Sequence, residues 1–422
     1  MERGIQILPG VSLTHVQTNQ FKTGCFSINL VRPLCHEEAA LNALLPNVLL
    51  RGTRDEPNMQ AISAHLDNLY GASAGSLVRK KGEVQTLGFY ADFLSEHLVD
   101  DGEQILAPVV DFMGRVLLDP CLEEGLLRED YVQSEKNNLI NAIEANINEK
   151  RAYAQKRLLS TMCAGEAYGL SRIGEVDEVR AITPASLTEH WKKVLATSRI
   201  ELFYLGRESA ETVVPLFRAA LADLPRGELA QTGTDVIRAA AEPKERIEQM
   251  PVTQGKLSMG FRTGCTCADE SYPALVLLNA VFGSGVTSKL FVNVREKQSL
   301  CYYANSALEK FKGLMIVSSG IESDKFEVAR DEILRQLEAC RTGDISEEEL
   351  ESARRHLDSL LRMQMDAPGS LDDFYIGQAI SGLNGSIQAL REALLQVTKD
   401  QVIQAAQAIT LDTVYFLKGV QA

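Results

Sequence analysis

An α+β fold of two homologous tandem domains, each a mostly antiparallel sheet covered by helices, is what this sequence of 422 residues predicts. Short runs of strand formers alternate irregularly with long helical patterns, which argues against a regular βα repeat. Fragments also come back at long range: Leu41-Asn42-Ala43 reappears as Leu278-Asn279-Ala280, each after a strand that ends near an arginine, Arg32 and Arg262. Such a period is that of a duplicated domain, far longer than the repeat of a solenoid. A single long polar connection separates the copies, giving domains at 1–226 and 245–422 joined by a linker at 227–244.

The elements follow from local pattern. Residues 5–15 and 24–31 read as strands, and 37–50 as a helix. A second helix ends at 67–70, Gly71 marks the turn, and 72–79 with 84–94 form a strand pair about Lys80-Lys81-Gly82. Helical periodicity spans 96–118, 123–147 and 150–162. Thr183-Pro184 has the residues that open a helix, and the chain then reaches the apolar strand 200–205 and a trailing helix at 209–224. In the second half Thr398 opens a helix leading into the strand 414–417, so both halves end helix then strand.

Composition narrows the function. A net charge of −14 argues against a phosphate backbone as partner, because nucleic-acid affinity comes largely from clustered Lys and Arg. No run approaches the roughly 18 apolar residues needed to span a bilayer, and no basic, apolar leader precedes Gly4-Ile5, so a cytoplasmic protein with no membrane partner is expected. The eight cysteines are scattered as buried free thiols would be in a reducing compartment. Cys265-Thr266-Cys267 is close-spaced but has no second pair at zinc-site distance. His65, His97, His190 and His356 stand singly in helical patterns, and the acidic turn after His36 is what a helix N-terminus favours.

The stretch 282–306 carries the candidate chemistry. Gly283 and Gly285 form a turn, 288–297 reads as helix, and 300–304 is rich in strand formers. Arg295 leaves the helix end and Tyr302 starts the strand. An arginine there can simply complement the helix dipole, and a strand tyrosine is often core or rim. The run GSGVTSK lacks the Gly-Lys-Ser/Thr order of a phosphate loop.

In its order of glycine turn, Ser288, Leu290, Phe291, Arg295-Glu296-Lys297, Leu300 and Tyr302, this stretch resembles the insulinase, pitrilysin and mitochondrial-processing-peptidase family. The resemblance covers nearly the whole chain and implies the family's half-clamshell of two domains. It implies that Arg295 and Tyr302 sit above a metal site and hold the scissile carbonyl, with Gly283, Gly285 and Ser288 as neighbouring substrate-binding candidates.

Active members carry His-x-x-Glu-His on the first helix, where both histidines share a face and bind zinc while the glutamate activates water. Counting back from the matching Gly52-Thr53 puts Ala43, Pro46 and Asn47 at those positions. The third ligand, a glutamate on a later helix, aligns with Ala142, with Glu144 close by. Gly75-Ser76 stands where active members have an Asn-Ala lining the substrate strand. The chain is thus similar to the zinc-less bacterial subunits, including the branch associated with elongation factor P modification. The resemblance implies a non-catalytic subunit without metal or cofactor of its own, a zinc-bearing homologous partner, and an extended peptide or small protein as substrate. A peptide-binding or scaffold protein that hydrolyses nothing is the rival reading, and a stand-alone peptidase with an unfamiliar site is a third.

Overall fold

The computed structural model describes residues 1–99 and 102–419, in two compact units. The first unit comprises Met1–Glu144, Leu170–Gly233 and Pro368–Asn384; the second comprises Ala145–Gly169, Thr234–Ala367 and Gly385–Ala422.

The first unit is built on a six-stranded sheet. Its strands are β1 (Glu2–Leu8), β2 (Val11–Gln17), β3 (Thr23–Pro33), β4 (Ser73–Lys81) and β5 (Val84–Leu94); after a two-residue ribbon of β6 (Leu122–Glu123) and β7 (Leu126–Leu127) comes β8 (Arg199–Gly206). The order across the sheet is β1-β2-β8-β3-β5-β4, and every pairing is antiparallel except β2 with β8. Central β3 is buried along almost its whole length. Its Phe26, Ile28 and Leu30 enter one core with Leu87, Phe89, Phe112 and Leu202.

Local chemistry explains where these elements depart from the expected ranges. The run 5–15 is a hairpin, because Gly10 at φ +69° turns the chain between β1 and β2. The β4/β5 turn falls at Gly82-Glu83, two residues past the start of the expected turn, again at a positive φ glycine. The helix expected over 96–118 is ordered as Leu106–Leu118 after a single 3₁₀ turn, Glu96–Leu98, whose Glu96 carboxylate accepts from the Ile105 and Leu106 amides. Residues 100 and 101 of that run, like 420–422 at the end of the second predicted domain, lie outside the described residues. The helix expected from 123 begins only at Glu129, because Glu124 and Gly125 adopt positive φ and turn β6 onto β7.

The second unit repeats the plan. Its strands are β9 (Lys244–Met250), β10 (Gly255–Arg262), β11 (Cys301–Glu309), β12 (Leu314–Ile321) and β13 (Thr410–Gly419), in the order β11-β12-β10-β13-β9. Here β13 and β9 are the parallel pair. Reading β9 for β2, β13 for β8, β10 for β3, β12 for β5 and β11 for β4 reproduces both the neighbours and the directions of the first sheet; β1 is the one addition. Helices His36–Leu49 and Tyr272–Phe282 occupy the same place after the strands that end at Arg32-Pro33 and Arg262.

The packed units are not the contiguous halves of the chain. Helix Lys150–Met162, from the first repeat, lies on β10 and β13, while Pro368–Ile380, from the second, lies on β3 and β8. Charges fasten both. Glu166, just past the first of these helices, sits between Arg262 at 2.6 Å and Lys312 at 2.8 Å, two cations buried from solvent. Asp372 bonds Ser27 and Arg79, and Asp373 lies 2.7 Å from Lys81. The connecting segment is held at both ends. Gly227 and Ala230 donate to the carbonyls of Ala196 and Thr197, whereas Arg238 pairs with Asp269 and the Ala240 amide donates to Thr410.

A buried polar network joins the first helix to its sheet. Glu38 pairs with Arg32 and Lys193, both at 2.7 Å. The Asn42 amide nitrogen donates to Gln85 Oε1, so its oxygen accepts from His190 Nε2 at 2.8 Å, which places a hydrogen on that ring nitrogen. Burial pushes His190 down to about 4 from its ordinary 6.5; the Glu38 carboxylate opposes this and the Arg32 and Lys193 charges add to it. Between those values the unfolded chain takes up a proton that the folded chain refuses, so stability is lost as pH falls through that window. Thermal melting from pH 6.5 down to 4 should show a decline that is shallower in His190→Gln; parallel profiles would contradict the assignment.

Candidate functional site

The first helix runs His36–Leu49 with Pro46 inside it. Proline has no amide hydrogen, so the Asn42 carbonyl loses its helical donor and the helix is locally weakened. Ala43 and Pro46 are buried, and neither carries a metal-ligating atom. Asn47 has both ends of its amide engaged, donating to the Ala43 carbonyl at 3.0 Å and accepting from the Ser76 hydroxyl at 2.8 Å. Ala142 is exposed on helix Glu129–Ala145, and Glu144 is an exposed carboxylate 3.9 Å from Arg180.

This donor set does not fit zinc. Two positions offer methyl or ring carbon, the third is an amide occupied by its own chain, and the fourth is another methyl. Among the described residues no cluster of His, Cys, Asp and Glu able to hold a metal ion occurs elsewhere. The Gly75-Ser76 departure belongs to the same rearrangement. Ser76 supplies the hydroxyl that ties down Asn47, and the Tyr90 ring lies where a side chain at position 75 would stand. That lock between two of the altered positions is not legible in sequence, since it depends on β4 passing beside the first helix.

In the second unit the expected helix 288–297 is a π-wound stretch, Leu290–Lys297, closed by a Gln298 amide to Asn293 carbonyl bond of 3.3 Å. Ser299 follows at φ +50°, an uncommon conformation for a residue with a side chain, and turns the chain into β11. Strand β11 is at the edge of its sheet. Its register against β12 steps from Cys301 opposite Ile321 to Tyr303 opposite Gly320, leaving Tyr302 as the extra residue of a β-bulge. Tyr302 is 72% exposed, and its hydroxyl has no partner among the described residues. Arg295 is half-exposed, with its guanidinium 4.6 Å from the centre of the Phe291 ring and its Nε 3.4 Å from Glu296.

The neighbouring candidates have internal partners. Gly283 caps helix Tyr272–Phe282, its carbonyl accepting from the Ser306 amide at 2.9 Å, and a Cβ there would strike Ser306. Gly285 adopts φ +104° with His356 packed against it. Ser288 is buried, and its hydroxyl donates to the Gly285 carbonyl at 2.8 Å. These three residues shape the turn that feeds Arg295 and Tyr302 into place.

Duplicated α+β halves, with Ala43, Pro46 and Asn47 on the first helix and a tyrosine presented on a bulged edge strand, define a two-domain peptidase-like fold. Comparison with known proteins agrees. The Peptidase M16 inactive domain model matches residues 181–357. The probable inactive metalloprotease YmfF of Bacillus subtilis (strain 168) is 34% identical over 412 residues, spanning 98% of this chain and 96% of that one. An uncharacterized zinc protease of Streptomyces coelicolor is 27% identical over 238 residues, 53% of this chain and 51% of the relative. Among solved structures, a conserved protein from Enterococcus faecalis V583 superposes with a TM-score of 0.91 at 29% identity, covering 99% of this chain and 98% of that one. The chain belongs to the M16 peptidase family, as an inactive-peptidase homologue. Among the described residues no helix is long and apolar enough to cross a membrane.

Because the Tyr302 ring is exposed and its hydroxyl unbonded, Tyr302→Phe should change unfolding stability by less than about 0.5 kcal/mol in denaturant titration. Asn47→Ala, which strips Ser76 of its acceptor, should cost about 1 kcal/mol in the same measurement.

Proposed function

We propose that this chain is the non-catalytic subunit of a heterodimeric zinc metallopeptidase, lending an Arg295/Tyr302 pair and part of the substrate chamber to a zinc-bearing homologue. The observation that carries the reading is the exposed Tyr302 hydroxyl on a bulged edge strand, without a partner among the described residues. A bulge re-aims a side chain at the cost of ladder hydrogen bonds, and such devices gather next to active sites. A relative in Streptomyces coelicolor is described as an uncharacterized zinc protease, which is the kind of homologue such a partner would be. In the partner's site the tyrosine hydroxyl and the guanidinium donate hydrogen bonds to the oxyanion that forms when water adds to the scissile carbonyl.

A second reading has its own observation. The Arg295 guanidinium already lies on Phe291 beside Glu296, as it would in a peptide-binding or scaffold protein with no hydrolysis.

Elemental analysis separates this chain from its zinc-bearing relatives: the purified protein should carry no stoichiometric zinc, and one tightly held zinc per chain would overturn the proposal. In a complex reconstituted with a zinc-bearing homologue, Tyr302→Phe and Arg295→Ala should each lower turnover by roughly a hundredfold while assembly is unchanged. Wild-type turnover in both variants, or peptide binding by a complex that cleaves nothing, would leave the scaffold reading in possession.

A further inference from the structure

Each repeat contributes one helix to the other repeat's sheet, and it is the corresponding helix both times. Lys150–Met162 follows Glu129–Ala145 as Pro368–Ile380 follows Glu347–Met365, and each lies on the two strands that correspond under the repeat, β10 with β13 and β3 with β8. The exchange takes the backbone from one unit to the other at 144–145, 169–170, 233–234, 367–368 and 384–385, so the segment about residue 233 is one crossing among several.

From this geometry we infer that the two halves of the chain are obligate folding partners, held by the exchanged helices rather than by the linker. The second unit's sheet needs residues 145–169. Ala154 and Leu158 pack on Tyr415 and Leu417, Met162 and Tyr168 pack with Leu314, and the Met162 sulfur fills the notch left by Gly260. Without that segment, buried Lys312 and Arg262 lose the Glu166 carboxylate. Tyr153 and Arg157 also hold Glu248 of edge strand β9, at 2.6 and 3.0 Å. The first unit's sheet needs residues 368–384 in the same way. Tyr375 stacks on Phe203 at 6.1 Å, and Asp372 and Asp373 answer Arg79 and Lys81. A half folded alone would leave the apolar residues of that sheet face in water and would take Glu166 from Arg262 and Lys312, Asp372 from Arg79 and Asp373 from Lys81, and removing a carboxylate that pairs with a buried cation is costly.

The test is to place a protease site between Thr232 and Gly233 of the full chain, cut it, and follow the fragments in urea by size-exclusion chromatography and circular dichroism. The cut protein should elute as one species, and fragment separation should coincide with loss of secondary structure. Glu166→Ala and Asp372→Ala should each lower the separation midpoint of the cut protein by roughly 1 M urea, whereas Glu322→Ala, in the more exposed Lys325–Glu322 pair, should leave it in place. Fragments that part while retaining their secondary structure would show independent domains and overturn the inference. So would separation midpoints indifferent to Glu166 and Asp372, because other contacts would then be holding the halves.

Discussion

The carboxylate of Glu166, set between Arg262 and Lys312, is the contact on which the second unit rests. Both cations are buried, so each needs an anion whatever else the sheet does. Asp412 also answers Arg262 at 2.9 Å from the neighbouring strand, and Lys312 also donates to the Asp235 carbonyl. Removing one member of such a cluster costs about 3 to 5 kcal/mol, because a charge stays behind in a low-dielectric place. Glu166 belongs by sequence to the first repeat, and its placement therefore ties the folding of one repeat to the presence of the other.

The first unit has the mirror arrangement, less deeply buried. Asp372 reaches Ser27 and Arg79, while Asp373, half-exposed, reaches Lys81. In both units the exchanged helix meets a sheet face that mixes polar and apolar residues, unlike the opposite face of the first sheet, which is packed with Phe, Leu and Val under the flanking helices. Polar partners give that docking its register, since a carboxylate must find its own cation while apolar contact alone tolerates sliding.

Against this shared frame the two halves differ at the candidate site positions. On the first helix Ala43 and Pro46 are buried and Asn47 is locked to Ser76, so the space is filled by the protein's own interior. In the second unit, after the helix that corresponds to the first, the chain runs through a π-wound stretch, a positive φ serine and a bulge to present Tyr302 to solvent. Irregular backbone of this kind costs stability, and the packing around Gly283, Gly285 and Ser288 holds it in place.

Much of this was legible in the sequence because it depends on neighbours along the chain. Alternation marked the strands, Thr183 and Thr398 marked helix starts that both prove to be capping boxes, and that Ala43 and Pro46 carry no metal-ligating atom follows from residue type alone. The long helical readings at 96–118 and 123–147 overran because periodicity does not register a positive φ at Glu124-Gly125 or a carboxylate that caps a helix nine residues on, as Glu96 does for Ile105. Which sheet receives Lys150–Met162 or Pro368–Ile380 was decided only in three dimensions. An amphipathic helix declares that one face must be covered, but its periodicity is satisfied equally by either sheet; the choice lies with Glu166 and Asp372, whose cations stand on strands far away in the chain.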